Sequence, residues 1–379
     1  LRLPTPDLLV RLDAVDGVPA RLDGDSEPAT LMALRQSVLS GSVTDAAGNV
    51  LEDFNGTVTA TLYDADRTVV TNGNGEDGVQ LPITMHGSKL FAGSATVTDG
   101  RFEMKVTVPA EIDNNYRPAT VSMYATASAH GADSISARRA IGVSRQFYIY
   151  GIDEDAEPDT IAPVIDRMYL NTPDFRNGDK VNTSPMLVAR VSDDRSINLS
   201  EGSLGGRMVA ILDNSRRYTD VSLYYTPSGD GTASGTINYP FEDLQPGAHT
   251  LKLRVWDANN NVAEGIIDFS VGADVPVQSF RLYCDANPAS VEANFYVEHD
   301  RPDQRLNVTV TVYDLMGRAI WSDSVTGVSD MMRSTPVTWN LCDSSGRRVP
   351  RGIYIYRATV SEPGGTPTDS GAKRIAVTD

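Results

Sequence analysis

Cysteine is nearly absent from this chain: Cys284 and Cys342 are the two among 379 residues, and neither sits in a CxxC pair. That excludes a disulfide-stapled small scaffold and a four-thiolate zinc site. Histidine is almost as scarce. His86, His130, His249 and His299 lie far apart and show no HxxxH or HxH spacing, so a histidine-rich metal centre has no local support. Positive charge is short as well: 33 Lys plus Arg against 50 Asp plus Glu leave a net −17, a field that repels phosphate backbones and excludes nucleic acid as an expected partner. No apolar run approaches the ~18 residues of a membrane-spanning helix. The opening Leu1-Arg2-Leu3-Pro4 lacks a signal-peptide core and an initiator Met, so a cut from a longer precursor is expected. A Ser/His/Asp set, a paired-carboxylate signature and a phosphate loop are also lacking, so no catalytic residue is assigned.

What the chain does have is punctuation and alternation. Thirty-one Gly and 21 Pro are spread through a sequence that is 40% hydrophobic, enough for packed cores but unfavourable for long helices. Apolar and polar residues alternate along Val58–Tyr63, Phe102–Val108, Leu251–Trp256 and Val308–Tyr313, the period of half-buried strands. Between such runs lie turn clusters: Asp45–Asn49, Asn72–Gly75, Thr98-Asp99-Gly100, Asp257–Asn261 and Asp343–Gly346. The fold class predicted is all-β, three tandem Ig-like β-sandwich domains.

The acidic, proline-bracketed stretch Asp153–Pro163 repels itself and cannot continue a central strand, so it reads as a linker. A second break falls near Gly272–Pro276. The domains expected are therefore 1–152, 153–272 and 273–379. Residues 26–38 allow a short helix through Leu31, Leu34 and Val38, but an entering strand that runs on into Leu39–Asp45 is the preferred reading. No cofactor is required. Calcium is the one ion with candidate ligands, in Asp153-Glu154-Asp155, Asp193-Asp194, and Asp257 with Asn259–Asn261, although the last group is also what a tight turn looks like. His249 reads as a strand-edge residue, and Tyr218, Tyr224, Tyr225 and Tyr239 as either a binding face or half-buried strand residues.

The last block carries the most specific string. Asn287-Pro288 is followed by Val310–Arg318, then Thr338-Trp339-Asn340, then Gly346–Arg357. Asp314–Gly317 makes a hairpin turn that needs a positive-φ glycine, Trp339 supplies a core anchor, and Pro350-Arg351-Gly352 turns the chain into an apolar last strand. Trp256, Trp339, Gly317 and Gly352 are the structural residues singled out. This string resembles the Ig-like domain of flagellar hook-capping proteins and the C-terminal sorting domains of type IX secretion cargo. Pro163–Asn171, Phe175–Asp179, Val191–Asn198, Tyr239–Leu251 and Val255–Asn261 look like the post-catalytic region of the PorU family, gingipain-like cysteine peptidases that act as sortases of the type IX secretion system. Leu39–Asn49, Phe54–Thr57 and Leu90–Phe102 are similar in the same order, and Leu1–Pro4 resembles the strand that ends such catalytic domains.

The resemblance implies a non-catalytic scaffold and docking portion at the bacterial outer-membrane surface. The parent's catalytic His and Cys lie upstream. That parent would remove C-terminal signals from cargo and join the new carboxyl end to surface lipopolysaccharide through a thioester on the upstream Cys. The partners implied are the upstream catalytic domain, a PorV-like outer-membrane barrel and, through the parent, cargo C-terminal domains. Lys373, Arg374, Ile375 and Val377 on the last strand are the candidate docking contact; the other reading is an edge strand guarded by charge. Cys284 and Cys342 are either bridged, as an extracytoplasmic location permits, or two buried thiols. The competing functional reading is an Ig-like array of a surface adhesin or structural outer-membrane protein.

Overall fold

A computed structural model describes residues 8–22, 27–74, 78–127, 138–200, 207–272 and 275–378. The readings that fall on Leu1–Pro4, Ser26, Gly75, His130, Ala273, Asp274 and Asp379 lie outside the described residues. The fold is all-β: among the described residues the one helical element is a 3-10 turn, Ser222–Tyr224. No helix of those residues is long and apolar enough to cross a membrane. Contacts divide the chain into two compact units. One holds Leu1–Met168, Ala189–Ile237 and Leu251–Ile266; the other holds Tyr169–Val188, Asn238–Thr250 and Ile267–Asp379.

In the first unit, seven strands run side by side in the order Lys89–Val97, Gly56–Tyr63, Thr120–Ala127, Arg139–Ser144, Leu8–Val15, Gln36–Asp45, Arg101–Thr107, and the two-residue strand Val18–Pro19 pairs with Leu8–Val15. The first and last members of that order are successive in the chain, joined by Thr98-Asp99-Gly100, so the sheet curls back on itself. Gly100 makes this corner with φ +69°, and a Cβ there would meet the Leu51 carbonyl at 2.4 Å. Alternation does the rest. Val58, Ala60 and Leu62 of one strand and Phe102, Met104 and Val106 of another point inward onto Leu39, Val121 and Phe147.

Residues 30–45 are strand, as preferred from the sequence, but not continuously. Thr30–Ala33 pairs in parallel with Tyr148–Ile152, and the chain then turns at Leu34 (φ 67°) before Gln36–Asp45 begins. The Leu31–Leu34–Val38 spacing carries no signal for that break.

The C-terminal part of the second unit is a sandwich. Ser279–Cys284, Ala293–His299 and Val337–Trp339 form one sheet; Ala319–Val328, Arg305–Tyr313, Gly352–Ser361 and Thr368–Val377 form the other, in those orders. Phe295 and Trp339 from the first face Val308, Val310, Tyr356 and Ile375 from the second. Phe295 lies 4.6 Å from Tyr356 between ring centres, and Trp339 lies 6.0 Å from Trp321. The hairpin turn expected at Asp314–Gly317 is formed, with Gly317 at φ 80° and the Asp314 carboxylate accepting the Met316 and Arg318 amides. Gly352 opens its strand as expected, with open space around it, but that strand is not the last: Thr368–Val377 follows it and pairs with it. The Asn287–Pro288 peptide is cis.

Candidate functional site

The candidate docking strand Thr368–Val377 sits at the outside of its four-stranded sheet. Burial changes along the strand, half-buried or exposed through Arg374 and covered beyond it, and this splits the proposed contact set. Ile375 and Val377 are buried in the sandwich core, whereas Lys373 and Arg374 are exposed. Ile375 and Val377 are therefore core residues rather than docking residues, because they face inward at the end of the strand that the sandwich covers, whereas Lys373, of the same parity, lies beyond that cover. Nor is the edge open along its C-terminal end. The Ala289 amide donates to the Ala376 carbonyl, the Thr378 amide to the Ala289 carbonyl, and the Asn287 amide group to the Arg374 carbonyl. The outward parity is the accessible one. Register places Tyr313, Ile355 and Arg374 in one row across three strands, with Ile353 opposite Ala376 in the next. Ile353 is 50% exposed, and Leu315 and Met316 are exposed at the neighbouring hairpin tip.

Trp339 is fully buried, and its indole N–H donates to the Cys342 carbonyl at 2.8 Å. Trp256 is only half-buried. It is out of phase with Leu251, Leu253 and Val255, which form the buried face of its strand, and that parity was readable from the sequence.

Cys284 and Cys342 are free and half-buried, so the bridge left open by the sequence is not formed and neither thiol is fully buried. Each is engaged locally: Cys284 Sγ donates to the Ala286 carbonyl at 3.3 Å and Cys342 Sγ to the Asn340 carbonyl at 3.5 Å. Burial pushes the Cys284 thiol up, away from the thiolate that nucleophilic chemistry needs. His299, the nearest histidine in sequence, is fully buried. Burial, with Arg301 adding to it, holds its imidazole down at about 4. The Arg301 amide donates to His299 Nδ1 at 3.2 Å, so protonation there would break a hydrogen bond as well as bury a charge. The consequence for pH is direct. A folded pKa below the unfolded one means that the unfolded chain binds more protons, so stability present above about pH 6.5 is lost as pH falls toward 4. Urea unfolding followed at pH 7 and near pH 4 should show a loss on the order of 2–3 kcal/mol assignable to His299. In His299→Asn, whose side-chain oxygen can replace the Nδ1 acceptor, that part of the pH dependence should vanish.

His249 is half-buried at the start of its strand, its Nε2 2.7 Å from the Gln245 carbonyl and its ring stacked on Phe269. Of the four tyrosines, Tyr225 is buried on a strand while Tyr218 and Tyr224 are exposed, and Tyr239 packs edge-on to Phe241.

Two further constellations emerge, both within the first unit. One is a cleft of about 560 Å³ lined by Met32, Arg35, Glu27, Asp16, Tyr116 and Tyr150. Tyr116 stacks on Tyr148 with ring centres 4.3 Å apart and meets Tyr150 edge-on at 5.2 Å. Tyr116 lies more than 30 residues before both of its partners, so no local pattern marks the meeting.

The other is acidic. Carboxylate oxygens of Asp159, Asp193 and Asp194 all lie within 4.8 Å of one another. The stretch read as a solvated linker is thus pinned at Asp159, which is 8% exposed. Asn261 Nδ2 donates to the Asp159 carbonyl at 3.0 Å, and Arg195 Nη1 donates to the Glu157 carbonyl at 2.9 Å. Burial raises Asp193 to about 6 against the pull of the Arg195 and Ser196 amides, and the charges of Asp257 and Asp194 push the same way. Asp257 is raised too, chiefly by burial. Both its oxygens serve its own turn, accepting from the Asn259 and Asn261 amides and from Asn261 Nδ2, so Asp257–Asn261 is the tight turn rather than a set of ion ligands. Asp153-Glu154-Asp155 is not part of the cluster: Asp153 pairs with Arg35 at 3.6 Å.

No protein-family model matches the chain, and no curated protein matches it. Among solved structures, the tetra-tandem repeat in the extending region of a large adhesion protein is 15% identical, over 98% of this chain and 74% of that one, with a TM-score of 0.20. The chicken CNTN1 FN1-FN3 domains are 10% identical over 99% of this chain and 100% of theirs, with a TM-score of 0.21. Dimeric latent PorU from Porphyromonas gingivalis is 30% identical along 100% of this chain, with a TM-score of 0.42. The chain is similar to PorU over its whole length, and it spans 34% of that PorU chain.

Proposed function

We propose that this chain is the non-catalytic scaffold and docking portion of a PorU-like sortase of the type IX secretion system, acting outside the cytoplasm at the bacterial outer-membrane surface. Its three β-sandwich domains, 1–152, 153–272 and 273–379, follow the peptidase domain and hold it in place. The observation that carries the reading is the C-terminal sandwich. Each element of the string that resembles type IX sorting domains has a structural role there, from the Gly317 turn to the buried Trp339. The same sandwich presents an outward row, Tyr313–Ile355–Arg374, with Ile353 beside it, in a chain of net charge −17. An apolar patch next to a cation fits a PorV-like barrel partner. The parent's hydrolysis and transpeptidation of cargo belong to the upstream Cys and His.

The test uses the purified chain as bait on detergent-solubilised outer membrane, with bound proteins identified by mass spectrometry. A PorV-like barrel should be recovered, and recovery should fall at least about tenfold with Ile353→Asp/Arg374→Glu, two exposed positions that leave the core intact. Undiminished capture by that variant would place docking elsewhere.

A second reading, an Ig-like array of a surface adhesin, is favoured by the Tyr116–Tyr150 cleft. Exposed aromatic faces flanked by Glu27, Asp16 and Arg35 suit the apolar faces and hydroxyls of a sugar ring. Glycan binding that is lost in Tyr116→Ala/Tyr150→Ala would support it.

A further inference from the structure

The Asp159 side chain poses an accounting problem. It is 2% exposed, its Oδ1 accepts the Ile161 amide at 3.0 Å, and its Oδ2 has no hydrogen-bond partner. Asp193 repeats the pattern: Oδ2 accepts the Arg195 and Ser196 amides while Oδ1 is buried without a donor. A buried carboxylate oxygen left without a donor is costly unless a cation stands against it. The cation that the described residues place against these carboxylates is Arg195, and its side chain stands off from them. Its Nε lies 3.7 Å from Asp159 and 4.0 Å from Asp194, and its Nη2 lies 3.9 Å from Glu157, all longer than hydrogen bonds. The Asp257–Asn261 turn, tied to Asp159 through Asn261, adds further unmatched acceptors. Asn259 Oδ1 is buried without a donor, and so is Oε2 of Glu111, whose other oxygen accepts from Asn260. Three acids, Glu157, Asp159 and Asp194, thus face one guanidinium that gives none of their carboxylates a hydrogen bond, its one bond here going to the Glu157 main-chain carbonyl.

We infer that Asp159, Asp193 and Asp194 form a divalent-cation site and that the ion is calcium. Every candidate ligand is an oxygen; no histidine or thiol is among them, which disfavours zinc. Carboxylates that converge within 4.8 Å match a hard cation that accepts several oxygens at irregular angles and completes its shell with carbonyls or water. The two donorless oxygens, Asp159 Oδ2 and Asp193 Oδ1, are the atoms such an ion would bind, and Asp194, exposed, closes the site from the solvent side. The ion would join the acidic segment Asp153–Pro163 to the loop after Met186–Ser192. This inference does not rest on the proposed sortase role.

The experiment is calorimetric titration of the 379-residue chain, stripped with EGTA, with calcium or magnesium alone, paired with thermal melts and limited proteolysis of the 153–163 segment. Calcium should bind with a Kd between about 10⁻⁴ and 10⁻³ M, raise the melting temperature and protect the segment. Asp194→Asn, on the surface, should fold normally and weaken binding about tenfold; Asp159→Asn should abolish it. Arg195→Gln should tighten calcium binding, because a competing cation is removed. The inference is overturned if calcium has no effect on heat, melting or cleavage, or if Arg195→Gln destabilises the chain equally with and without calcium, since Arg195 would then be the counter-ion. A response to magnesium equal to that to calcium would overturn the choice of ion.

Discussion

Replacing Trp339 with alanine should destabilise the C-terminal sandwich by about 3–5 kcal/mol. The side chain is fully buried, and it sits where three aromatic contacts converge: Phe295 at 6.5 Å, Trp321 at 6.0 Å and Tyr354 at 5.9 Å between ring centres. Truncation removes the contact area and leaves a cavity that the flanking strands cannot collapse into, because each is held by its own ladder. A hydrogen bond goes with it, since the indole N–H donates to the Cys342 carbonyl. Trp339→Phe separates the two effects. It keeps most of the ring contact and should cost roughly 1–2 kcal/mol for the orphaned carbonyl and the smaller volume. Urea unfolding followed by circular dichroism measures both. A loss below about 1 kcal/mol for the alanine variant would mean that Trp339 is not the anchor of this core.

Arg301→Ala should be comparably damaging, about 3–5 kcal/mol, for an electrostatic reason. Asp300 is 1% exposed, and its carboxylate pairs with Arg301 Nη1 at 2.7 Å while accepting the Gln278 amide at 2.8 Å and Asn182 Nδ2 at 3.2 Å. Arg301 is equally enclosed, with Nε bonded to Glu362 and Nη2 to the Val275 carbonyl. Burial pushes Asp300 up even with the guanidinium present, so the pair is already poorly compensated for leaving water. Without Arg301 the aspartate must stay charged in a buried place or take up a proton. The penalty should therefore shrink as pH falls and Asp300 protonates. Asp300→Asn in the Arg301→Ala background should recover part of the loss, and a double-mutant cycle by urea unfolding gives the coupling. Additive single and double variants would show that the two charges stand independently.

Much of the architecture was legible in local pattern. The alternation of Val58–Tyr63, Phe102–Val108, Leu251–Trp256 and Val308–Tyr313 predicts strands, and each lies on one apart from Val108, one residue past the end of Arg101–Thr107. The turns at Thr98–Gly100 and Asp314–Gly317 announced themselves by a glycine that takes positive φ, and the second also by Asp314, whose carboxylate accepts amides of its own turn. Even the half-burial of Trp256 was implicit in its parity. The failures share one character. Asp153–Pro163 looks like a solvated spacer because its charges repel along the chain, yet Asp159 is buried by residues more than 30 positions away. Ile375 and Val377 look like an available apolar edge until the inward parity and the cover from Asn287–Ala289 are seen.

The sequence alone determined the all-β class, the strands and their faces, the turn chemistry and the net charge of −17, because period-two burial, positive-φ glycines and charge are set by near neighbours or by simple counts. Only the tertiary structure decided which carboxylates meet, which thiols stay apart, which face of the last sheet looks outward and how His299 and Asp300 come to lie away from water. Those outcomes depend on strand register and chain reversal over tens to hundreds of residues, and desolvation acts on a group only once the fold has closed around it.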